Sequence, residues 1–188
     1  QHGGQSIPNF DYGLAEGIKK TFKKIYRVNF AKAYTLKGCG KKSESEIVLA
    51  LKEIEKETSL YPTLSGSRAY DKQEEKLAET LFKDMKEYKA VKKYAQTESL
   101  KETDEATHQA MEALIHNLNT MHSRAGAQVP FSSINFGTDT SPEGRMVIKN
   151  ILRATEEGLG NGETAIFPIS IFKVKEGVNY NPGDPNYD

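Results

Sequence analysis

Apolar residues recur at helical spacing from about Leu14 to Tyr34, with Ile18, Phe22, Ile25, Tyr26 and Phe30 on one side and lysines opposite. This predicts a first helix, which Gly38 and Gly40 stop. Ser43 followed by Glu46 is a capping-box pattern, and Ile47, Leu51 and Ile54 carry a second helix to about Lys56. Pro62, Gly66 and the serines around them predict a loop. A third helix is expected from Asp71 to about Tyr94, with Leu77, Leu81, Met85 and Tyr88 together; its polarity suits surface cover rather than core. The fourth, about Asp104 to Arg124, carries the stripe Met111, Leu114, Ile115, Leu118 and Met121, and Gly126 can end it.

The pattern then changes. Phe131 to Phe136 reads as a strand, Gly137 to Thr140 as a polar loop, and Pro142 to about Glu157 as a helix with Val147, Ile148, Ile151 and Leu152 inward. After Gly158, Gly160 and Gly162, the run Ala165 to Val174 reads as a buried strand despite Pro168, followed by an irregular tail. The opening HGGQSIPNFD, with Gly3, Gly4 and Pro8, reads as a turn-rich loop. Two strands joined by a helix lie parallel with a right-handed crossover. The chain is therefore expected to be a helix-rich α/β protein: a helical region with a Gly-rich opening over 1–126, and a β-α-β part over 127–188.

The loop between strand and helix holds the densest chemistry. The first N–H groups of a helix lack internal partners and sit at the positive end of its dipole, so such a turn suits an anion. Ser141 can cap the helix, Pro142 suits its first position and Glu143 its first turn. Gly137 allows close backbone approach, while Thr138, Asp139 and Thr140 supply short polar groups. Ser132, Ser133 and Asn135 on the strand can face a ligand or bond neighbouring strands. Arg145 can clamp a phosphate or pair with Glu143 or Asp139.

Composition narrows the partners. The 188 residues hold 26 basic and 26 acidic side chains, a formal net charge of zero, which argues against DNA as a main partner. Nine Lys/Arg lie between Asp11 and Lys42, either an anion-steering surface or a solvated helix face. The single cysteine, Cys39, excludes an internal disulfide and a Cys/His metal set, and fits a reducing, cytoplasmic setting. The lysines beside it would lower its pKa. No apolar run is long enough to span a membrane. His108 and His122, 14 residues apart beside the stripe of the fourth helix, suit structural roles and cannot share a metal within one helix. His116 lies off the stripe. His2 and Gln5 sit in a glycine-flanked loop able to close over a nucleotide. GLGNGE (158–163) follows a helix and precedes a strand, the wrong context for a dinucleotide fingerprint.

Three blocks add a family. His116 to Gly160 (HNLNTMHSRAGAQVPFSSINFGTDTSPEGRMVIKNILRATEEGLG), Gly162 to Asp188 (GETAIFPISIFKVKEGVNYNPGDPNYD) and His2 to Asp11 (HGGQSIPNFD) closely resemble the anaerobic, glycyl-radical (class III) ribonucleoside-triphosphate reductases. The stretch from about Lys37 to Thr103 carries no such wording. The resemblance implies a segment of a ten-stranded α/β barrel. It implies substrate contacts at Ser132, Ser133, Asn135, Gly137, Thr138, Asp139, Thr140 and Arg145, and effector contacts at His2 and Gln5. It further implies a homodimer that takes ribonucleoside triphosphates as substrates and ATP or deoxynucleotides as effectors. A glycyl radical installed by an iron–sulfur, S-adenosylmethionine-dependent activase, and a zinc in the C-terminal region, are also implied. Those enzymes are several times longer, so a truncated and catalytically inactive piece is expected, with no catalytic or metal-binding residue of its own. A self-contained nucleotide-binding or regulatory module and a dimerisation piece are the alternatives.

Overall fold

A computed structural model describes residues 4–120, 129–160 and 162–187. The elements are β1 (Gly4–Ile7), α1 (Phe10–Leu36), α2 (Glu44–Thr58), α3 (Arg68–Leu81), α4 (Met85–Thr120), β2 (Phe131–Phe136), α5 (Pro142–Glu157) and β3 (Ile169–Phe172). They group into two compact units, Gln1–Ile18 with Asp104–Asp188, and Lys19–Thr103. The expected ends at Gly126 and the roles of His2, Met121 and His122 lie outside the described residues.

The first unit is built on a three-stranded sheet in the order β1-β2-β3. Both pairings are parallel, Gly4 opposite Phe131 and Ser133 opposite Ile169, as expected for the two strands that α5 joins. The opening segment is a strand rather than a loop. GQSI is too short and polar to announce itself, and only pairing with β2 extends it. β3 is shorter than expected. Asn119 binds the preceding backbone instead, its Oδ1 accepting from Ile166 N and Phe167 N at 2.9 and 3.0 Å, and Pro168 has no N–H to offer a ladder. Asn179 ends the strand by donating to Lys173 O at 2.8 Å.

Alternation along β2 separates two environments. Ser132, Ile134 and Phe136 are buried with the α5 residues Val147, Ile151 and Ala154, while Phe131, Ser133 and Asn135 turn to the other side. That side is open: Phe131, Ile169 and Ile171 are all exposed, so the cover expected for both faces of β3 is absent among the described residues.

The second unit is all helical. Phe22, Tyr26, Phe30 and Tyr34 repeat every fourth residue on α1 and are buried. Ser43 forms the expected capping box with Glu46. The third and fourth helices divide elsewhere than the pattern suggests. The break falls at Phe82–Asp84, where Phe82 is extended (φ −111°, ψ 142°) and packs edge-on to Tyr34 at 5.2 Å and to Phe30 at 6.1 Å. Asp84 Oδ1 then accepts Lys86 N at 2.8 Å, opening α4. No break occurs between Tyr94 and Asp104, because Val91, Ala95, Ser99, Thr103 and Thr107 continue one buried stripe. Small polar residues on that stripe hide it from a hydrophobicity reading; Ser99 Oγ accepts Asn29 Nδ2 at 3.2 Å.

α3 is not merely a surface cover. It buries Tyr70, Glu74, Ala78 and Leu81. The Glu74 carboxylate, 1% exposed, accepts from Tyr26 Oη at 2.9 Å and Tyr88 Oη at 3.0 Å, with Lys92 Nζ at 3.8 Å. Burial pushes the carboxyl above its ordinary value of 4.5, against the pull of Lys92 and the tyrosine hydroxyls. A folded-state pKa above the unfolded one means that the protonated form stabilises the fold. That contribution is full below the unfolded value and is lost as pH rises through the folded one. Urea midpoints measured between about pH 4 and about pH 8 should therefore show a falling component that Glu74→Gln, which cannot ionise, removes.

Candidate functional site

The turn after β2 is held at three successive residues, Gly137, Thr138 and Asp139. Asp11, near the start of α1 and 1% exposed, points its Oδ2 at three successive amides. It accepts from Gly137 N at 2.9 Å, Thr138 N at 3.1 Å and Asp139 N at 3.0 Å. The carbonyls are held as well: Thr138 O by Tyr12 Oη at 2.8 Å, Gly137 O by Asn179 Nδ2 at 2.9 Å, and Asp139 O by Asn186 Nδ2 at 2.8 Å. The anion chemistry expected of this turn is therefore present, and the anion its loop amides hold is the protein's own carboxylate.

The helix start behaves as its residues suggest. Ser141 caps α5, its Oγ accepting Gly144 N at 3.0 Å, and Pro142 occupies the first turn. Asp139 is buried and accepts Ser141 N at 2.9 Å. It packs so closely on Gly144 that a Cβ there would stand 2.3 Å from its carboxylate. Gly137 has φ +119°, and a Cβ would meet Phe172 at 2.8 Å. Its close approach is to β3 rather than to a ligand.

The candidate side chains do not converge on one point. Ser133 and Asn135 share the open face of the sheet, whereas Ser132 is buried on the opposite side with Ile134 and Phe136. Gln5 lies in β1 opposite Ser132, and both border a shallow groove of about 290 Å³ with Ser6, Ser133 and Ile169. Asn135 Oδ1 and Ser132 Oγ are enclosed with no hydrogen-bond partner among the described residues. Thr138 is half-buried and Thr140 exposed.

Arg145 pairs with neither Glu143 nor Asp139; among the described residues its guanidinium makes no ion pair. It borders a cavity of about 490 Å³ with Lys149, Leu152, Phe172, Asn186 and Tyr187. Ile148 and Leu152, expected to face inward, line this cavity instead. Lys149 Nζ is held by Asp104 Oδ2 at 2.7 Å, and Asn150 Nδ2 donates to Asp104 Oδ1 at 2.8 Å. Burial pushes the Asp104 carboxyl upward, but these two bonds outweigh it and hold the group below its ordinary range.

Asp11, Asn179, Asn186 and Asn119 carry the loop and the strand ends, and sequence reasoning passed over all four as site residues. Asp11 had a signal: it closes the block HGGQSIPNFD. Cys39 reverses its expectation. It is buried, and burial, with Glu87 adding to it, pushes the thiol above its ordinary pKa despite Lys37. Of the nine early basic residues, Lys23 and Arg27 both pair with Glu55 on α2, and Arg27 is buried.

A family model described as anaerobic ribonucleoside-triphosphate reductase matches residues 1–188. The anaerobic ribonucleoside-triphosphate reductase of Escherichia coli (strain K12) is 41% identical over 96 residues, which is 50% of this chain and 13% of that enzyme. The protein of the same name from Haemophilus influenzae is 42% identical over 80 residues, covering 42% of this chain and 11% of its own length. That of Enterobacteria phage T4 is 43% identical over 96 residues, 50% of this chain and 15% of the relative. The chain thus aligns with only a small part of each. No helix among the described residues is long and apolar enough to cross a membrane.

Replacing Asp11 with Ala should orphan three amides. At about 1–3 kcal/mol for each buried one, with water reaching Thr138, the expected loss is about 3–5 kcal/mol. Asp11→Asn, which keeps one acceptor oxygen, should lose less. Chemical denaturation of the two variants against the unaltered chain measures both.

Proposed function

The chain belongs to the anaerobic ribonucleoside-triphosphate reductase family, and we propose that it supplies part of the nucleotide site of an enzyme that reduces ribonucleoside triphosphates to deoxyribonucleoside triphosphates. The family match over residues 1–188 carries the enzyme class. The Asn135 side chain, turned to the open face of the sheet and with its enclosed Oδ1 unpartnered among the described residues, carries the placement. A buried amide oxygen left without a donor costs about 1–3 kcal/mol, a deficit that a nucleotide hydroxyl would remove.

On this reading β1, β2 and β3 form one arc of a ten-stranded barrel with α5 outside and the open face turned to the interior. Three features support it: the strands are all parallel, β2 buries side chains on one side only, and Phe131, Ile169 and Ile171 stand exposed on the other. Parallel sheets bind ligands at the carboxyl ends of their strands, and Asn135 is one residue from the end of β2. The Asp11-bound turn then acts as a rigid rim rather than a phosphate cradle. Gln5 stands opposite Ser132 in register, on the side of the sheet away from Asn135, and keeps its proposed role toward an effector. ATP and deoxynucleotide effectors, a second copy of the chain and a radical-installing activase are the partners this role requires.

The glycyl radical and the cysteine-held zinc do not fit the residues present. The one thiol, Cys39, is buried and its pKa is raised. With a single cysteine the chain offers no thiol set for zinc, and on this reading it is inactive alone.

A second reading is favoured by Arg145, whose guanidinium makes no ion pair among the described residues. Its cavity of about 490 Å³ is of ligand size, and a phosphate there would be held on the α5 side of the sheet. The two readings separate experimentally. Calorimetric titration with ATP, CTP and deoxynucleoside triphosphates should show binding that Asn135→Ala weakens about tenfold and that Arg145→Ala leaves within about twofold. The reverse ranking would move the site to the Arg145 cavity. Absence of saturable binding to the folded chain would sink both placements.

A further inference from the structure

Helices α4 and α5 bring three ligand-type side chains together at a place the nucleotide reading does not use. His108 and Glu112 are one turn apart on α4, so the 3.6-residue repeat puts both on one face. Glu157 is the last residue of α5. Ligand atoms of the three lie within 4.8 Å of one another. His108 Nε2 is 2.8 Å from Glu157 Oε2 and 3.9 Å from Glu112 Oε1. We propose that His108, Glu112 and Glu157 bind one divalent transition-metal ion of the zinc and cobalt type, clipping α4 to the end of α5.

The donor set selects the ion. One imidazole with two carboxylates suits zinc, cobalt or manganese, whereas calcium and magnesium favour all-oxygen sites. Metal–ligand bonds of about 2.0–2.2 Å put the donors around one ion about 3–4 Å apart. The present spacings need only side-chain adjustment to meet that. The ring is already aimed. His108 is mostly buried, and its Nδ1 is enclosed with no hydrogen-bond partner among the described residues. Packing therefore sets its orientation, and Nε2 is the nitrogen that meets the carboxylates. Both glutamates are exposed, so an ion can enter without the unit opening. Arg153 reaches Glu157 Oε1 at 3.7 Å, within one exposed helix turn; it is a weak contact that a dication would displace. Water would complete the coordination shell. Because its three protein ligands come from two helices, the ion would act as a clip between α4 and the end of α5.

The test is metal uptake by the chelator-stripped chain. Zinc followed by calorimetry and cobalt followed by visible absorption should each titrate to one equivalent. His108→Ala and Glu157→Gln should each weaken binding at least about tenfold. His116→Ala, on the same helix but outside the cluster, should leave it unchanged. Zinc should also raise the melting temperature of the unaltered chain and not of His108→Ala, since only the former's folded state binds it. Circular dichroism establishes that each variant is folded. No saturable uptake by the unaltered chain, or uptake that survives the His108→Ala, Glu157→Gln double variant in folded form, overturns the proposal.

Discussion

The carboxylate of Asp11 accepts hydrogen bonds from three consecutive amides more than a hundred residues further along the chain, and the sheet-bearing unit is organised around that contact. A turn between a parallel strand and a helix exposes several N–H groups in one direction. Left unpaired and buried they would oppose folding by more than most single contacts contribute. A fixed carboxylate at the start of α1 removes that cost and ties β1 to β2 at the ends of the strands. With Tyr12, Asn179 and Asn186 holding the carbonyls of the same turn, the loop has little freedom left. Gly137 and Gly144 are the positions where its close packing leaves no room for a side chain.

That rigidity decides what the neighbouring residues can do. With the loop amides committed to an internal anion, recognition falls to side chains, and the pleat of β2 sends those to opposite sides. Ser133 and Asn135 face the open side, while Ser132 is committed to the buried one. Arg145 and Lys149 border a separate cavity against α5. The apolar surface exposed on the open face is what a parallel sheet shows when further strands and helices complete it, in keeping with membership of a family whose relatives here are several times larger than their aligned segments.

The helical unit solves a different problem. Its aromatic core surrounds one carboxylate, Glu74, which Tyr26, Tyr88 and Lys92 keep in polar company. Buried polar groups of this kind are tolerated only when partnered, and the aromatic hydroxyls supply partners without giving up apolar packing. Phe82 leaves the helical conformation so that its ring can join Phe30, Tyr34 and Tyr88; that is why α3 ends where it does.

Local chemistry was legible wherever neighbours in sequence decide the outcome. The capping box at Ser43, the Ser141–Pro142 helix start, the bounds of β2 and the β-α-β order all follow from residues a few positions apart, whose hydrogen bonds and periodicity need no distant partner. The family was legible too, in the literal wording of the blocks at each end. What only the tertiary structure decided depends on groups far apart in the chain. GQSI becomes a strand because β2 lies beside it. Ala165 to Pro168 stays outside the ladder because Asn119 claims its backbone. α4 runs unbroken because Ser99 and Thr103 are buried among neighbours that no pattern displays. The turn after β2 advertised an affinity for anions through its own sequence, but which anion it holds was set by the fold, because Asp11 lies 126 residues away from Gly137 in the chain.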